Sequence, residues 1–327
     1  MNRGFENGRL LCYNNGYFAS GEKTMERKTN KIRQNVLPLL AALIWGTAFV
    51  AQSVSSDYIQ PFTFNAARSA IAFVSLLLVS LVFSKLGGKR EKTAAEKKEE
   101  RKNLLLGGLC CGFFLTVAAN LQQLGLGETS AGKAGFITAL YVVLVPIFGI
   151  ALKKKAPLQV WIGALLAVAG LYLLCIQEDF SIQRSDFYVF LCAIVFALHI
   201  LCVDHFVQKV DGIRLSCVQF LVVTLLSGVC MLLFEEPVWD NIVLCLPQLL
   251  YVGVLSSGAG YTLQILAQKD SDPTVVTILL SLESVFSVLA GAVILGDKLS
   301  GREYLGCVLM FAAVILAQVP LKRKQKA

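Results

Sequence analysis

Long apolar stretches recur along the whole chain and are separated by short polar or charged breaks. A helix needs about 20 apolar residues to cross the ~30 Å hydrocarbon layer of a membrane. Ten stretches meet this requirement, so the pattern predicts ten membrane-spanning helices. Their predicted bounds are 36–56, 61–84, 104–124, 131–152, 157–176, 187–207, 213–234, 244–267, 273–295 and 304–321.

Composition and charge agree with this pattern and predict an orientation. The chain is 56% hydrophobic and 16% charged, with a net charge of +8. With the N-terminus placed inside, the inside segments hold 25 of the 30 Lys and Arg residues and the outside loops hold 3. Cytoplasmic loops retain such an excess. We therefore predict a multi-pass protein of the cell membrane (inner or plasma membrane) with both termini in the cytoplasm. The basic residues form no single face for nucleic acid.

The two halves of the chain align with each other. Each half holds five predicted spans, an odd number, so the second half enters the membrane with the opposite orientation. The predicted fold is an all-α membrane protein of two inverted five-helix repeats, with a substrate site near the middle of the membrane. The aligned pairs include Leu121 with Leu263, Gln122 with Gln264 and Val143 with Val285 at an offset of 142, and Trp45 with Phe196 and Arg68 with Gln219 at an offset of 151.

This organisation predicts four segments. Residues 1–34 have no apolar period and form a cytoplasmic tail that is disordered or weakly amphipathic. The first repeat covers 35–176 and the second covers 187–320, and a basic cytoplasmic tail follows at 321–327. Met25 is an alternative start to Met1.

Several motifs resemble those of the drug/metabolite transporter superfamily, in particular its EamA-type branch of ten-helix transporters. They are Leu-Ile-Trp-Gly-Thr-Ala-Phe at 43–49, Thr-Ser-Ala-Gly-Lys-Ala-Gly-Phe at 129–136, Leu-Glu-Ser-Val-Phe at 282–286, and the closing segments 296–298 and 303–306. The resemblance implies an exporter or exchanger of amino acids, related metabolites or drugs. It also implies a central cavity that both repeats line.

Charged residues inside the predicted spans are few, and each is a candidate site residue because a charge at mid-bilayer costs about 2.5–3.5 kcal/mol on insertion scales. Glu283 lies ten residues into the ninth span and is the leading candidate for substrate binding or proton coupling. Arg68, with Asn65 one turn earlier, can pair with an anionic group or extend to the lipid headgroups. His199 lies near the middle of the sixth span. For Glu283 and His199 the alternative is a structural hydrogen bond between helices.

Uncharged polar and aromatic residues complete the predicted site. The third and eighth spans carry amide and hydroxyl groups at matching positions, and we expect four of them, Asn120, Gln123, Tyr261 and Gln264, to approach one central space. Two aromatic residues can form walls of the cavity, although ordinary helix packing explains them equally well. These two are Trp45 and Tyr141.

The sequence contains none of the motifs that would indicate an enzyme. It has no His-Glu-x-x-His, no Gly-x-Ser-x-Gly, no phosphate-binding glycine loop and no zinc-ligand spacing. We therefore predict a transporter with no cofactor and no metal. Its partners are a small-molecule substrate and the lipid bilayer, with the proton as a candidate coupling ion and a homodimer left open. The alternatives are a membrane receptor or scaffold, or a facilitator without proton coupling.

Overall fold

The computed structural model shows a helical protein. It describes residues 15–86, 93–126, 131–154, 156–175, 183–269, 271–294 and 300–318. Within these ranges the chain forms helices, turns and short loops, with no strand. Lipid offers no hydrogen-bond partners, so a spanning segment must satisfy its own backbone N–H and C=O groups, which an α-helix does.

The helices follow each other closely along the chain. In the first half they are α1 (Asn15–Ser56), α2 (Pro61–Leu86), α3 (Ala94–Leu126), α4 (Ala131–Ala139), α5 (Tyr141–Ala151) and α6 (Leu158–Cys175). In the second half they are α7 (Arg184–Val207), α8 (Gly212–Phe234), α9 (Trp239–Leu244), α10 (Leu246–Leu250), α11 (Tyr261–Gln268), α12 (Pro273–Leu280), α13 (Glu283–Ile294) and α14 (Gly301–Gln318), with a π-helical segment, Tyr251–Gly260, between α10 and α11.

These helices account for the ten predicted spans. Eight segments of the described chain are long and apolar enough to cross a membrane, and the shorter α6 and the closing α14 are the fifth and tenth spans. The protein is therefore an all-α membrane protein with five spans in each half. The fourth, eighth and ninth spans are each built from more than one helical segment.

Helix α1 begins at Asn15, about 20 residues before the apolar part of the first span. The sequence predicts a disordered or weakly amphipathic tail over residues 1–34. Residues 15–34 are helical, and residues 1–14 lie outside the described chain. A polar segment can extend a helix that apolar residues have already started, because each added residue gains one hydrogen bond without a new nucleation cost. The predicted tail at 321–327 also lies outside the described residues.

Two of the broken spans are interrupted at equivalent positions of the two repeats. Leu140 separates α4 from α5 in the fourth span, and Ser281 and Leu282 separate α12 from α13 in the ninth. The first residues after the breaks, Tyr141 and Glu283, are 142 positions apart, which is the offset that aligns the halves. At both junctions the backbone stays in the right-handed helical region, so each is a local change of helix geometry and not an unwound stretch.

The packing of the helices repeats between the halves with inverted orientation. α3 packs against α7 and α8, and the eighth span packs against α1 and α2 in the same way. α4 and α5 pack against α7, as α12 and α13 pack against α1. The pairs α2 with α8 and α6 with α14 join equivalent spans of the two halves. This pattern is that of a pseudo-twofold axis between inverted repeats.

Glycines allow the closest helix contacts. A Cβ at Gly107, Gly108 or Gly112 of α3 would lie within 2.2–2.8 Å of side chains on α7 and α8. Gly170 of α6 and Gly306 of α14 face each other, and a Cβ on either would lie within 2.9 Å of the carbonyl oxygen of the other. In lipid, close van der Waals packing of this kind holds helices together, because the hydrophobic effect gives no preference for helix over lipid.

Candidate functional site

A small cavity lies where the interrupted fourth and ninth spans meet the first, second, third, sixth and eighth spans. Its volume is ≈ 40 Å³, enough for about three water molecules. The residues that line it are Trp45, Phe49, Gln52, Arg68, Gln122, Thr138, Tyr141, Phe196, Ile200, Ser256, Tyr261, Gln264, Leu280 and Glu283.

Most of this lining consists of repeat-related pairs. The pairs at the offsets of 142 and 151 are Trp45 with Phe196, Phe49 with Ile200, Gln122 with Gln264, Thr138 with Leu280 and Tyr141 with Glu283. The other four residues, Gln52, Arg68, Ser256 and Tyr261, have no counterpart in the lining. Both repeats therefore enclose the cavity, and a molecule inside it contacts both.

Glu283 and Tyr141 meet in the cavity wall. Glu283 is the first residue of α13, is only 4% exposed, and accepts a hydrogen bond of 3.1 Å at Oε1 from the hydroxyl of Tyr141. Tyr141 is the first residue of α5 and is 5% exposed. A single hydrogen bond thus joins the points at which the fourth and ninth spans are interrupted.

Arg68 reaches the same cavity from α2. Its side chain is 5% exposed, and Nη1 donates a hydrogen bond of 2.8 Å to Oε1 of Gln52. Its guanidinium carbon lies 5.6 Å from the centre of the Phe64 ring. Nε has no hydrogen-bond partner. In the described part of the chain neither Arg68 nor Glu283 forms an ion pair, so the cavity lining holds a guanidinium group and a carboxyl group that are not paired with each other.

Aromatic rings form another wall. The rings of Trp45 and Tyr261 are 4.9 Å apart between centres, and Nε1 of Trp45 donates a hydrogen bond of 3.0 Å to the carbonyl oxygen of Ser256. Ser256 belongs to the π-helical segment, whose wider turn is typical of functional positions in helices. Gly260 makes room for the indole, since a Cβ there would lie 2.5 Å from Nε1.

His199 lies behind this wall and not in the cavity lining. It is fully buried, its Nε2 is 3.2 Å from Oε1 of Gln219, and its ring meets the edge of Tyr261 at 6.2 Å between centres. Phe220 also packs on Tyr261, at 5.5 Å between ring centres. The described geometry gives His199 contacts that position Tyr261 and no direct contact with the cavity.

Three other predicted residues lie outside the cavity lining. Nδ2 of Asn65 donates to Oδ1 of Asn120 at 2.8 Å, and Nδ2 of Asn120 donates to Oγ of Ser227 at 3.0 Å, which joins α2, α3 and α8. Gln123 is 1% exposed and its amide has no hydrogen-bond partner in the described chain. Of the four residues expected to approach one central space, Tyr261 and Gln264 line the cavity, whereas Asn120 and Gln123 are buried outside its lining.

The reason is the rotation of the third span. Successive helical residues differ by about 100° in direction, so only one of three neighbouring amides faces the cavity. That residue is Gln122, whose Nε2 is 3.3 Å from Oγ1 of Thr138. The sequence carried one signal for it, the alignment of Gln122 with Gln264. The sequence indicated the cavity position of Gln52 more weakly: Gln52 lies seven residues after Trp45 and therefore on the same helical face.

An all-α membrane protein with inverted repeats and a polar cavity between them has the architecture of a secondary transporter. The model of the EamA-like transporter family matches residues 34–176 and again residues 183–318. The chain therefore belongs to the EamA-like transporter family and is a membrane transporter.

Individual relatives agree with this assignment. The chain is 29% identical over 287 residues to an uncharacterized transporter of Archaeoglobus fulgidus, covering 86% of this chain and 84% of that protein. It is 25% identical over 293 residues to the uncharacterized transporter YwfM of Bacillus subtilis, covering 88% and 94% of the two chains. A crystal structure of a protein 19% identical in sequence has the same fold, with a TM-score of 0.70 over 87% of this chain and 96% of that one.

Proposed function

We propose that this transporter carries a small zwitterionic metabolite of the amino-acid type by alternating access, as an exporter or exchanger and not as an enzyme. The observation that carries the proposal is that a guanidinium group and a carboxyl group line one cavity. Arg68 comes from the first repeat and Glu283 from the second, and neither has an ion-pair partner in the described chain.

A buried charge in a membrane protein needs a compensating group. A carboxylate of the substrate can accept hydrogen bonds from the guanidinium of Arg68, whose planar shape suits a carboxylate. An ammonium group can pair with Glu283. The rings of Trp45 and Tyr261 leave an apolar surface between the polar groups for the substrate side chain.

The present cavity supports a conformational cycle. Its ≈ 40 Å³ is too small for a whole amino acid, so the substrate enters only when helices move apart. We expect the fourth and ninth spans to move, because the helix geometry changes within each of them, directly before Tyr141 and Glu283. In transporters with inverted repeats, one repeat rocks against the other around a fixed site.

Glu283 also supports a role for the proton as coupling ion. A carboxyl group that shares a hydrogen bond with the Tyr141 hydroxyl can bind either a proton or a substrate ammonium, but not both. Competition between the two would exchange one for the other across the membrane. A facilitator without proton coupling is the alternative outcome.

We further propose the cell membrane as the location, with both termini in the cytoplasm, on the basis of the excess of Lys and Arg in the tails and alternate loops. The four segments 1–34, 35–176, 187–320 and 321–327 remain our proposed division of the chain. A homodimer stays open.

Counterflow into proteoliposomes tests the function. The probes are phenylalanine, phenethylamine, which lacks the carboxylate, and 3-phenylpropionate, which lacks the ammonium group. We expect labelled phenylalanine to accumulate against unlabelled phenylalanine, and each singly charged probe to compete poorly. Equal competition by all three probes would contradict a site that binds both the carboxylate and the ammonium group of the substrate. If phenylalanine itself is not moved, smaller amino acids are the next probes, and failure of all zwitterions contradicts the proposal.

A further inference from the structure

An ion pair outside the cavity joins the two repeats at one end of the helices that line it. Nζ of Lys154, just after α5, pairs with Oδ2 of Asp204 in the last turn of α7. The Lys154 side chain is 41% exposed and that of Asp204 is 12% exposed. In the orientation proposed above, this pair lies at the cytoplasmic side.

The backbone before Lys154 holds the lysine in place. Lys153 has φ = 60°, a left-handed conformation that side chains other than glycine seldom adopt, and it is the only non-glycine residue with positive φ in the described chain. It ends α5, with the amides of Lys153 and Lys154 donating to Ile150 O and Gly149 O at 2.9 Å each. This reversal turns the chain back, so that Lys154 faces α7.

The two joined helices are walls of the central cavity. α5 contributes Tyr141, and α7 contributes Phe196 and Ile200. The repeat equivalent of this helix pair is α13 against α1, where Gly46 lets the helices touch: a Cβ at Gly46 would lie 2.6 Å from the carbonyl oxygen of Glu283. The aligned residue in α7 is Ala197, which carries that methyl group. α5 therefore cannot approach α7 by the same backbone contact.

We propose that Lys154 and Asp204 are gating residues, and that their ion pair closes the path between the cavity and the cytoplasmic side. This inference rests on the proposed function, because a gate has meaning only in an alternating-access cycle. A half-exposed ion pair is held loosely, since water screens it, and so it can break and re-form in every cycle. The direct packing of α13 on α1 at Gly46 lies beside the cavity, because Glu283 belongs to the cavity lining.

Hydrogen exchange measured by mass spectrometry tests the gate in reconstituted full-length protein without any substrate. The variants are Lys154→Gln, Asp204→Asn and the charge swap Lys154→Asp with Asp204→Lys. Lys153→Gln removes the neighbouring charge and serves as the matched control. We expect each single variant to raise the exchange rate of the last turns of α5 by roughly threefold or more, because exchange follows local opening. The charge swap should restore slow exchange, and α13 and the control should not change.

Counterflow of phenylalanine in the same proteins separates the gate from the function. The gate is supported if the single variants fold like the wild type, exchange their α5 hydrogens faster and transport at altered rates. If all variants transport and their α5 amides exchange hydrogen at the wild-type rate, the gate is overturned and the proposed function stays intact. Faster exchange in a protein that transports no zwitterion overturns the function and the gating role with it. A charge swap that fails to restore slow exchange also overturns the gate.

Discussion

Glu235 connects the C-terminal end of α8 to the N-terminal end of α2, and its removal gives the stability prediction that the structure supports most fully. The residue follows α8, and its carboxylate accepts hydrogen bonds from the amides of Phe62 and Thr63 at 2.8 and 2.6 Å and from the Thr63 hydroxyl at 2.7 Å. These amides belong to the first turn of α2, where backbone N–H groups have no partner within the helix. Glu235 thus caps α2 from a distant part of the chain.

The size of the effect follows from these contacts. Replacing a helix cap by alanine costs about 0.5–2 kcal/mol, and a carboxylate at a helix N-terminus gains about 0.3–1 kcal/mol from the helix dipole. The half-buried position of Glu235 and its three bonds place Glu235→Ala near the upper part of this range, at about 2 kcal/mol. Glu235→Gln keeps one acceptor oxygen and should cost about half as much.

Thermal unfolding of the purified protein in detergent, monitored by size-exclusion chromatography, measures the change in stability. A loss of about 2 kcal/mol lowers Tm by about 4–8 °C. Glu236 is the matched control, since it is the next residue, carries the same charge and is exposed. Glu236→Ala should change Tm by about 1 °C at most. Equal Tm values for the alanine variants at 235 and 236 would refute the capping argument.

Three further predictions follow. Gly306→Ala puts a methyl group 2.8 Å from a carbonyl oxygen of α6 and should destabilise the protein by about 1–3 kcal/mol, whereas Gly228→Ala, with no atom within 4 Å, should not; Tm values decide. In counterflow, Arg68→Gln should weaken the competition by unlabelled phenylalanine and leave the poor competition by phenethylamine unchanged. An equal loss of competition by the two compounds would contradict a carboxylate-binding role for Arg68. An impermeant thiol reagent should label a cysteine introduced at Asn241, but not at Thr93, from outside intact cells; labelling at 93 would contradict the topology.

The fold could be predicted from the sequence because a membrane imposes few alternatives. Apolar length alone predicted the ten spans, and an odd number of spans in each repeat required the inversion. The helix breaks could not be predicted. Leu140, Ser281 and Leu282 are neither proline nor glycine, so their backbone conformation depends on the packing of neighbouring helices and not on local propensity. The helical extension of α1 to Asn15 was also missed, because the composition there is polar.

The candidate site could be predicted in part. The charges at positions 68 and 283 stand out in an apolar chain, and the structure places both at one cavity, although their roles remain predictions. The rotation of each helix about its axis could not be predicted from the sequence. Gln122 lines the cavity, while Asn120 binds Asn65, and the buried amide of Gln123 has no hydrogen-bond partner in the described chain.

The pH dependence of counterflow in Glu283→Gln tests the central claim most directly. The substitution keeps the size and hydrogen bonding of the side chain and removes its ability to ionise. We expect the variant to be folded and inserted, as judged by an unchanged elution profile, but to transport phenylalanine poorly and with a flat response to pH. Tyr141→Phe, which leaves the carboxyl in place, should keep a pH response. Wild-type rates across the same pH series in Glu283→Gln would contradict the account and leave Glu283 as a structural link between helices.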